Sequence, residues 1–161
     1  MIKVGIIMGS DSDMDIMQEA ASILNDFEVE HEIRIISAHR TPDLMDEYAK
    51  QAKSRGLQVI IAGAGGSAHL PGMTASHTTL PVIAVPIKRN PADHEALWSN
   101  IKMPPGVPLA TMPENGAKNA ALLAIEILAI NDISVAKKYE LFRAKQYNEV
   151  VEKDSQLNHS E

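Results

Sequence analysis

No cysteine occurs in the 161 residues, which excludes disulfides, thiolate nucleophiles and cysteine-ligated metals and fits a reducing compartment. Aromatic residues are only 4% of the chain, too few for the stacking platform that single-stranded nucleic acid requires. Basic charge is in deficit as well. Fifteen Lys and Arg stand against 21 Asp and Glu, a formal net charge of -6, so the overall field repels polyanions and no nucleic-acid partner is expected. No apolar run approaches the roughly 20 residues that span a bilayer. The opening MIKVGIIMGSDSD has no basic region ahead of a long apolar stretch, so neither an export signal nor a membrane partner is expected, and the cytoplasm is the expected location. Any anionic substrate must therefore be small and caught locally.

What remains is the composition of a globular protein, 45% hydrophobic and 22% charged. At this length one domain buries a full core, whereas two would each be marginal. A single α/β domain is expected over 1–155, with a frayed tail at 156–161. Short apolar runs alternate with helical segments. KVGIIMG (3–9), HEIRIIS (31–37), QVIIAGAG (58–65) and PVIAVPI (81–87) have strand character. Three of the four are apolar at nearly every position, as in strands covered on both faces. Between them lie MDIMQEAASILNDF, with Ile16, Ala20 and Leu24 at helical spacing, and TPDLMDEYAKQAKSRG. In the second, Thr41 is placed to cap, Pro42 suits the first turn, Asp43 favours the helix dipole and Gly56 ends the helix. Strand, helix, strand at this spacing implies parallel strands joined by right-handed crossovers, in a three-layer doubly wound sheet.

After Pro86 five of the nine prolines crowd one stretch. It reads as loops around a short helix at 93–100 and a fifth strand near 109–111. AKNAALLAIEILAI follows as a strongly apolar helix, and SVAKKYELFRAKQYNEVVEK as a terminal, more polar one capped by Asp132. Val135, Tyr139 and Phe142 form a stripe on the terminal helix that the finished sheet does not need, so burial against other subunits is expected. A terminal helix folded back on its own domain is the alternative.

Ligands of doubly wound sheets bind outside the carboxyl ends of the strands, and three of those ends are unusual here: MGSDSDMD, SAHRTPD and AGAGGSAHLPGM. In the first, Ser10 and Ser12 offer hydroxyls beside a helix start with unpaired N–H groups, the makings of a small anion site. Asp13 suits hydrogen bonds from neutral hydroxyls such as those of a ribose. Simple helix capping competes with this reading. A calcium loop is disfavoured because its sixth position would be Ile16 and its twelfth Ser22. In the third, GAGGSA satisfies only a relaxed dinucleotide pattern. Gly63, Gly65 and Gly66 are expected to let the backbone approach a small ligand, with His69 at the lip of the loop. In the second, Arg40 offers a permanent planar cation and His39 a group that titrates near neutrality. Together they suit holding an anion while moving a proton, although pairing of Arg40 with Asp43 or Asp46 is the competing reading. His31, His77, His94 and His159 have no such setting, and HEALW lacks the second histidine of a zinc motif.

Taken together, GSDSD, SAHRTP and AGAGGSAHLPGM closely resemble the signature segments of the N5-carboxyaminoimidazole ribonucleotide mutases, bacterial enzymes of purine biosynthesis. The likeness runs in the same order from about Lys3 to Ile130 and includes MPPGVPLAT and KNAALLA. It implies a flavodoxin-like fold, a homo-octamer, and transfer of carbon dioxide from the exocyclic nitrogen to C4 of the aminoimidazole ring without metal or organic cofactor. It further implies His39 as general acid/base, with substrate bound by Ser10, Ser12, Asp13, Ser37, Arg40, Gly65, Gly66, Ser67, His69 and Leu70. His69 would orient the carboxylate, and Ser67 stands where the family usually has alanine. A related class carboxylates aminoimidazole ribonucleotide directly; it usually has lysine in place of Arg40 and lacks the GGxAHLPG run. That class and a non-catalytic flavodoxin-like nucleotide-binding module are the two alternatives. KRNPADHEALWSN and TMPENGAKN depart from the family pattern, and both are expected to border the pocket or subunit contacts.

Overall fold

A computed structural model describes residues 1–158. The elements are β1 (Val4–Met8), α1 (Met14–Asp26), β2 (His31–Ile35), α2 (Pro42–Ala52), β3 (Val59–Gly65), α3 (His69–His77), β4 (Val82–Ile87), α4 (Glu95–Ile101), β5 (Ala110–Thr111), α5 (Ala117–Ala129) and α6 (Ile133–Asn158). A single 3-10 turn, Asp11–Asp13, leads into α1. All strand pairs are parallel, in the order β2-β1-β3-β4-β5. This is the doubly wound, flavodoxin-like order, whose switch point falls between β1 and β3.

Successive residues of a strand face opposite sides, and the two cores follow from that. Val4, Ile6 and Met8 of β1 and Val59 and Ile61 of β3 pack on α1 and α5, with Val135 of α6 behind. Ile7, Ile60 and Ala62 face the other side, against Met45 and Tyr48 of α2, Leu70 of α3 and Ala96 of α4. β1 and β4 are buried at every position, whereas β2, with His31, Glu32 and Arg34, is a half-exposed edge. Ala117, Ala120, Ala121 and Ala124 are fully buried on α5, and their small side chains let that helix lie close to α1 and the sheet. Among the described residues no helix is long and apolar enough to cross a membrane.

The sequence-based expectations need three corrections and one addition. Residues 69–77, to which the sequence analysis assigned no element, form the helix α3: Pro71 falls in its first turn, where a missing N–H costs no hydrogen bond. Thr41 does not cap α2. Its hydroxyl accepts from Ser37 N (3.0 Å) and donates to Ser37 O (3.0 Å), closing the loop before the helix. Val135, Tyr139 and Phe142 pack against their own domain, with Tyr139 tilted and Phe142 edge-on to Phe27 at 6.2 and 5.5 Å between ring centroids. Lys3–Asp132 (2.7 Å) and Lys138–Glu28 (2.5 Å) clamp the same end of α6. Finally, α6 continues through Asn158, so residues 156–158 of the expected tail are helical; 159–161, including His159, lie outside the described residues.

Candidate active site

The carboxyl ends of β1, β2, β3 and β4 enclose a cavity of about 310 Å³ at the switch point. After β2, the loop from Ser37 to Thr41 is held by its own backbone and hydroxyls, with Thr41 N donating to Ser37 O (2.9 Å) and Arg40 N to Ser37 Oγ (3.1 Å). This loop aims Arg40 across to β1, where its guanidinium donates to Gly9 O (3.0 Å). Asp46 instead pairs with Lys50 (2.8 Å) and His77 (2.5 Å), and no carboxylate pairs with Arg40 among the described residues. Arg40 is thus oriented by neutral acceptors and keeps its charge for a ligand, which removes the competing reading.

After β3, Gly66 at φ +59° and Ala68 at φ +30° turn the chain sharply into α3. The buried Asn100 supports this turn from α4, donating to Ala68 O (3.3 Å) and Ala96 O (2.7 Å). The turn carries His69 to the cavity, with Nδ1 2.7 Å from Nε2 of His39 and the rings nearly perpendicular at 83°. At that distance one nitrogen donates and the other accepts, so a single proton lies between the rings.

Of the expected site residues, Ser10, Asp13, Ser37, His39, Arg40, Gly65, His69 and Leu70 line this one cavity. Three do not. The Ser12 hydroxyl is 2.9 Å from that of Ser10 and braces it from outside. Gly66 provides the left-handed turn. Ser67 donates to Glu95 of α4 (2.9 Å), which draws it away from the cavity. Gly63 also has a different reason from the expected one: a Cβ there would lie 2.3 Å from Met17 Sδ, so the missing side chain makes room for core packing and not for a ligand. His31, His77 and His94 lie outside the cavity, and among the described residues no group of three His, Cys, Asp or Glu is arranged to hold a metal ion.

Arg89, after β4, is the functional candidate that the sequence analysis passed over. It lines the cavity and forms an ion pair with Asp13. Asp13 is 1% exposed, and burial pushes its carboxyl above the usual range despite the opposing charge and hydrogen bond of Arg89. The available signal was IKRN, a second basic strand end, which lacked the glycines and serines of the other three.

The profile of the AIR carboxylase family matches residues 3–149. An N5-carboxyaminoimidazole ribonucleotide mutase of Thermotoga maritima is 54% identical over 98% of this chain and 92% of its own. A protein of the same name from Pyrococcus abyssi is 56% identical over 89% of this chain and 83% of its own. Among solved structures, Treponema denticola PurE superposes with a TM-score of 0.90 at 32% identity, covering 98% of this chain and 99% of its own.

Proposed function

Because the chain belongs to the AIR carboxylase family, we infer that it is an N5-carboxyaminoimidazole ribonucleotide mutase, an isomerase of purine biosynthesis. The observation that carries the catalytic assignment is the His39–His69 pair, 2.7 Å apart, in the same cavity as an uncompensated Arg40. The reaction breaks the bond between the exocyclic nitrogen and the carboxyl carbon, releasing carbon dioxide, and that nitrogen must receive a proton. C4 then attacks the carbon dioxide and must lose its proton. The two transfers are equal and opposite, so one group restores itself over the cycle. His39 is that group, and His69 holds its ring in position and takes the other end of the shared proton.

Arg40, Ser10 and Ser37 bind the phosphate, with Ser12 fixing the hydroxyl of Ser10. Asp13 accepts from the ribose, and Gly65, Leu70 and His69 wall the heterocycle and retain carbon dioxide between the two steps. Gly66 and Ser67 act one step back, shaping and anchoring that wall. Pure protein is expected to turn over the carboxyamino ribonucleotide at low bicarbonate, and much faster than it carboxylates aminoimidazole ribonucleotide at high bicarbonate. Turnover of the second substrate alone would mark a direct carboxylase, and turnover of neither a non-catalytic nucleotide-binding module. Replacing Arg40 with Ala removes charge-assisted hydrogen bonds worth about 1.5–3 kcal/mol. Nucleotide affinity should fall roughly 10- to 100-fold with kcat less affected, as read by calorimetry and steady-state kinetics; an unchanged affinity would rule out this anchor.

The assembly is a homo-octamer in the cytoplasm. Support for association comes from α6, where every described residue from 143 onward is exposed, including Tyr147, Val150 and Leu157. The absence of cysteine accords with the location. A solution mass of eight chains is expected by light scattering, and a monomer would overturn the assembly.

A further inference from the structure

We propose that Arg89 recognises the carboxylate that the reaction moves, so that this residue distinguishes carboxylated from uncarboxylated aminoimidazole nucleotides. The assignment rests on the proposed function and extends it to a residue outside the family-like motifs. Two features fix the guanidinium in the cavity. Asp13 takes one terminal nitrogen as an ion-pair partner. Gly65 makes room for the rest: a Cβ there would lie 3.2 Å from Arg89 Nε and 3.2 Å from Ile87 O. About half of the side chain remains exposed, leaving other N–H donors of the fork for a ligand.

The segment bearing Arg89 is anchored from the opposite side. Lys88 N donates to Asn115 Oδ1 (2.8 Å), and Lys88 Nζ donates to Glu114 (3.1 Å), which also meets His94 Nδ1 at 2.8 Å. Burial pushes the Glu114 carboxyl up, but the hydrogen bonds and charge of Lys88 and His94 outweigh it and hold it below its usual range. Glu114 is therefore an ionised tether near neutral pH. These residues belong to the two segments that depart from the family pattern, so the second cation and its tether are built from this chain's own divergent sequence.

The division of labour between the two arginines follows from charge and position. The ends of β2 and β4, which carry Arg40 and Arg89, are three ladder steps apart, about 14 Å at the usual strand spacing. Both side chains reach inward to the β1 end, Arg40 to Gly9 O and Arg89 to Asp13. A ligand lying across the switch point meets a free cation at one end and an Arg–Asp pair at the other. A phosphate, carrying about -1.5 to -2 charges, suits the free cation and is repelled by the buried carboxylate. A monoanionic carboxylate suits the pair, and the attraction, partly offset by Asp13, does not lock it against leaving as neutral carbon dioxide.

The test compares affinities of 4-carboxyaminoimidazole ribonucleotide and aminoimidazole ribonucleotide by calorimetry for wild type, Arg89→Gln and Arg89→Lys. Their ratio cancels any loss that acts on both ligands through Asp13. The preference for the carboxylated nucleotide is expected to fall at least tenfold in Arg89→Gln and by less in Arg89→Lys, which keeps a point charge. Affinities that drop together, with the ratio preserved within twofold, would reduce Arg89 to a prop for Asp13 and overturn the assignment. A wild type that binds neither nucleotide would overturn the proposed function itself, and the role of Arg89 with it.

Discussion

His39→Asn lowers the rate of isomerisation by about 10²- to 10⁴-fold, the usual contribution of a positioned general acid/base, while nucleotide affinity stays within about threefold. The split follows from the geometry. Asparagine keeps a polar group of similar reach beside His69 but has no proton to exchange near neutral pH. On the proposed assignment phosphate binding rests with Arg40, whose guanidinium is held by Ser37 and Gly9 rather than by the His39 ring. The two substitutions therefore act on different quantities: His39→Asn on kcat, Arg40→Ala on binding. An equal loss of affinity in both variants would refute that division, and a His39→Asn enzyme with near-normal turnover would transfer the proton role to another group.

Gly5→Ala should be the most damaging single methyl in the fold. A Cβ at this position in β1 would lie 2.1 Å from Tyr48 Oη and 2.7 Å from Leu57 Cδ2. The Tyr48 ring cannot easily retreat. It is 3% exposed, its hydroxyl donates to Glu32 (2.9 Å), and the Arg34 and Arg55 guanidiniums lie 5.8 and 5.4 Å from its centroid. Burial, and then the charge and hydrogen bond of Glu32, push the phenol well above its ordinary range, so it remains a neutral donor. Overpacking a core costs about 1–3 kcal/mol, and losing the bond to Glu32 adds about 1.5–3 kcal/mol. A total of about 2.5–6 kcal/mol lowers Tm by roughly 5–24 °C for a domain of this size. Tyr48→Phe removes the atom in closest conflict, so the double variant should be more stable than the two single losses summed. A Tm within about 2 °C of wild type for Gly5→Ala would disprove the account of this contact.

Much of the architecture was readable from local pattern. Apolar runs covered on both faces, separated by segments of helical period, specify parallel strands with crossovers, because few other arrangements bury such strands. The polar ends of β1, β2 and β3 marked the cavity for the same reason: loops at that end of a doubly wound sheet have no apolar partner to cover. Two local signals misled. Pro71 and Gly72 leave α3 without a strong helical pattern, although a proline in the first turn is harmless to a helix. Gly63 resembled a ligand-facing glycine because the side chain that fills its space, Met17, lies on a different element.

The chain alone therefore determined the layered parallel fold and the cluster around His39 and Arg40, both carried by short contiguous stretches in which periodicity and capping act over a few residues. Only the tertiary structure decided that Arg89 meets Asp13 across 76 positions, that His69 meets His39 across 30, and that Ser67 turns to Glu95 and leaves the cavity. Those pairings depend on which strand ends become neighbours in the order β2-β1-β3-β4. Neighbourhood in a sheet is set by packing of the whole core, and no local spacing encodes it.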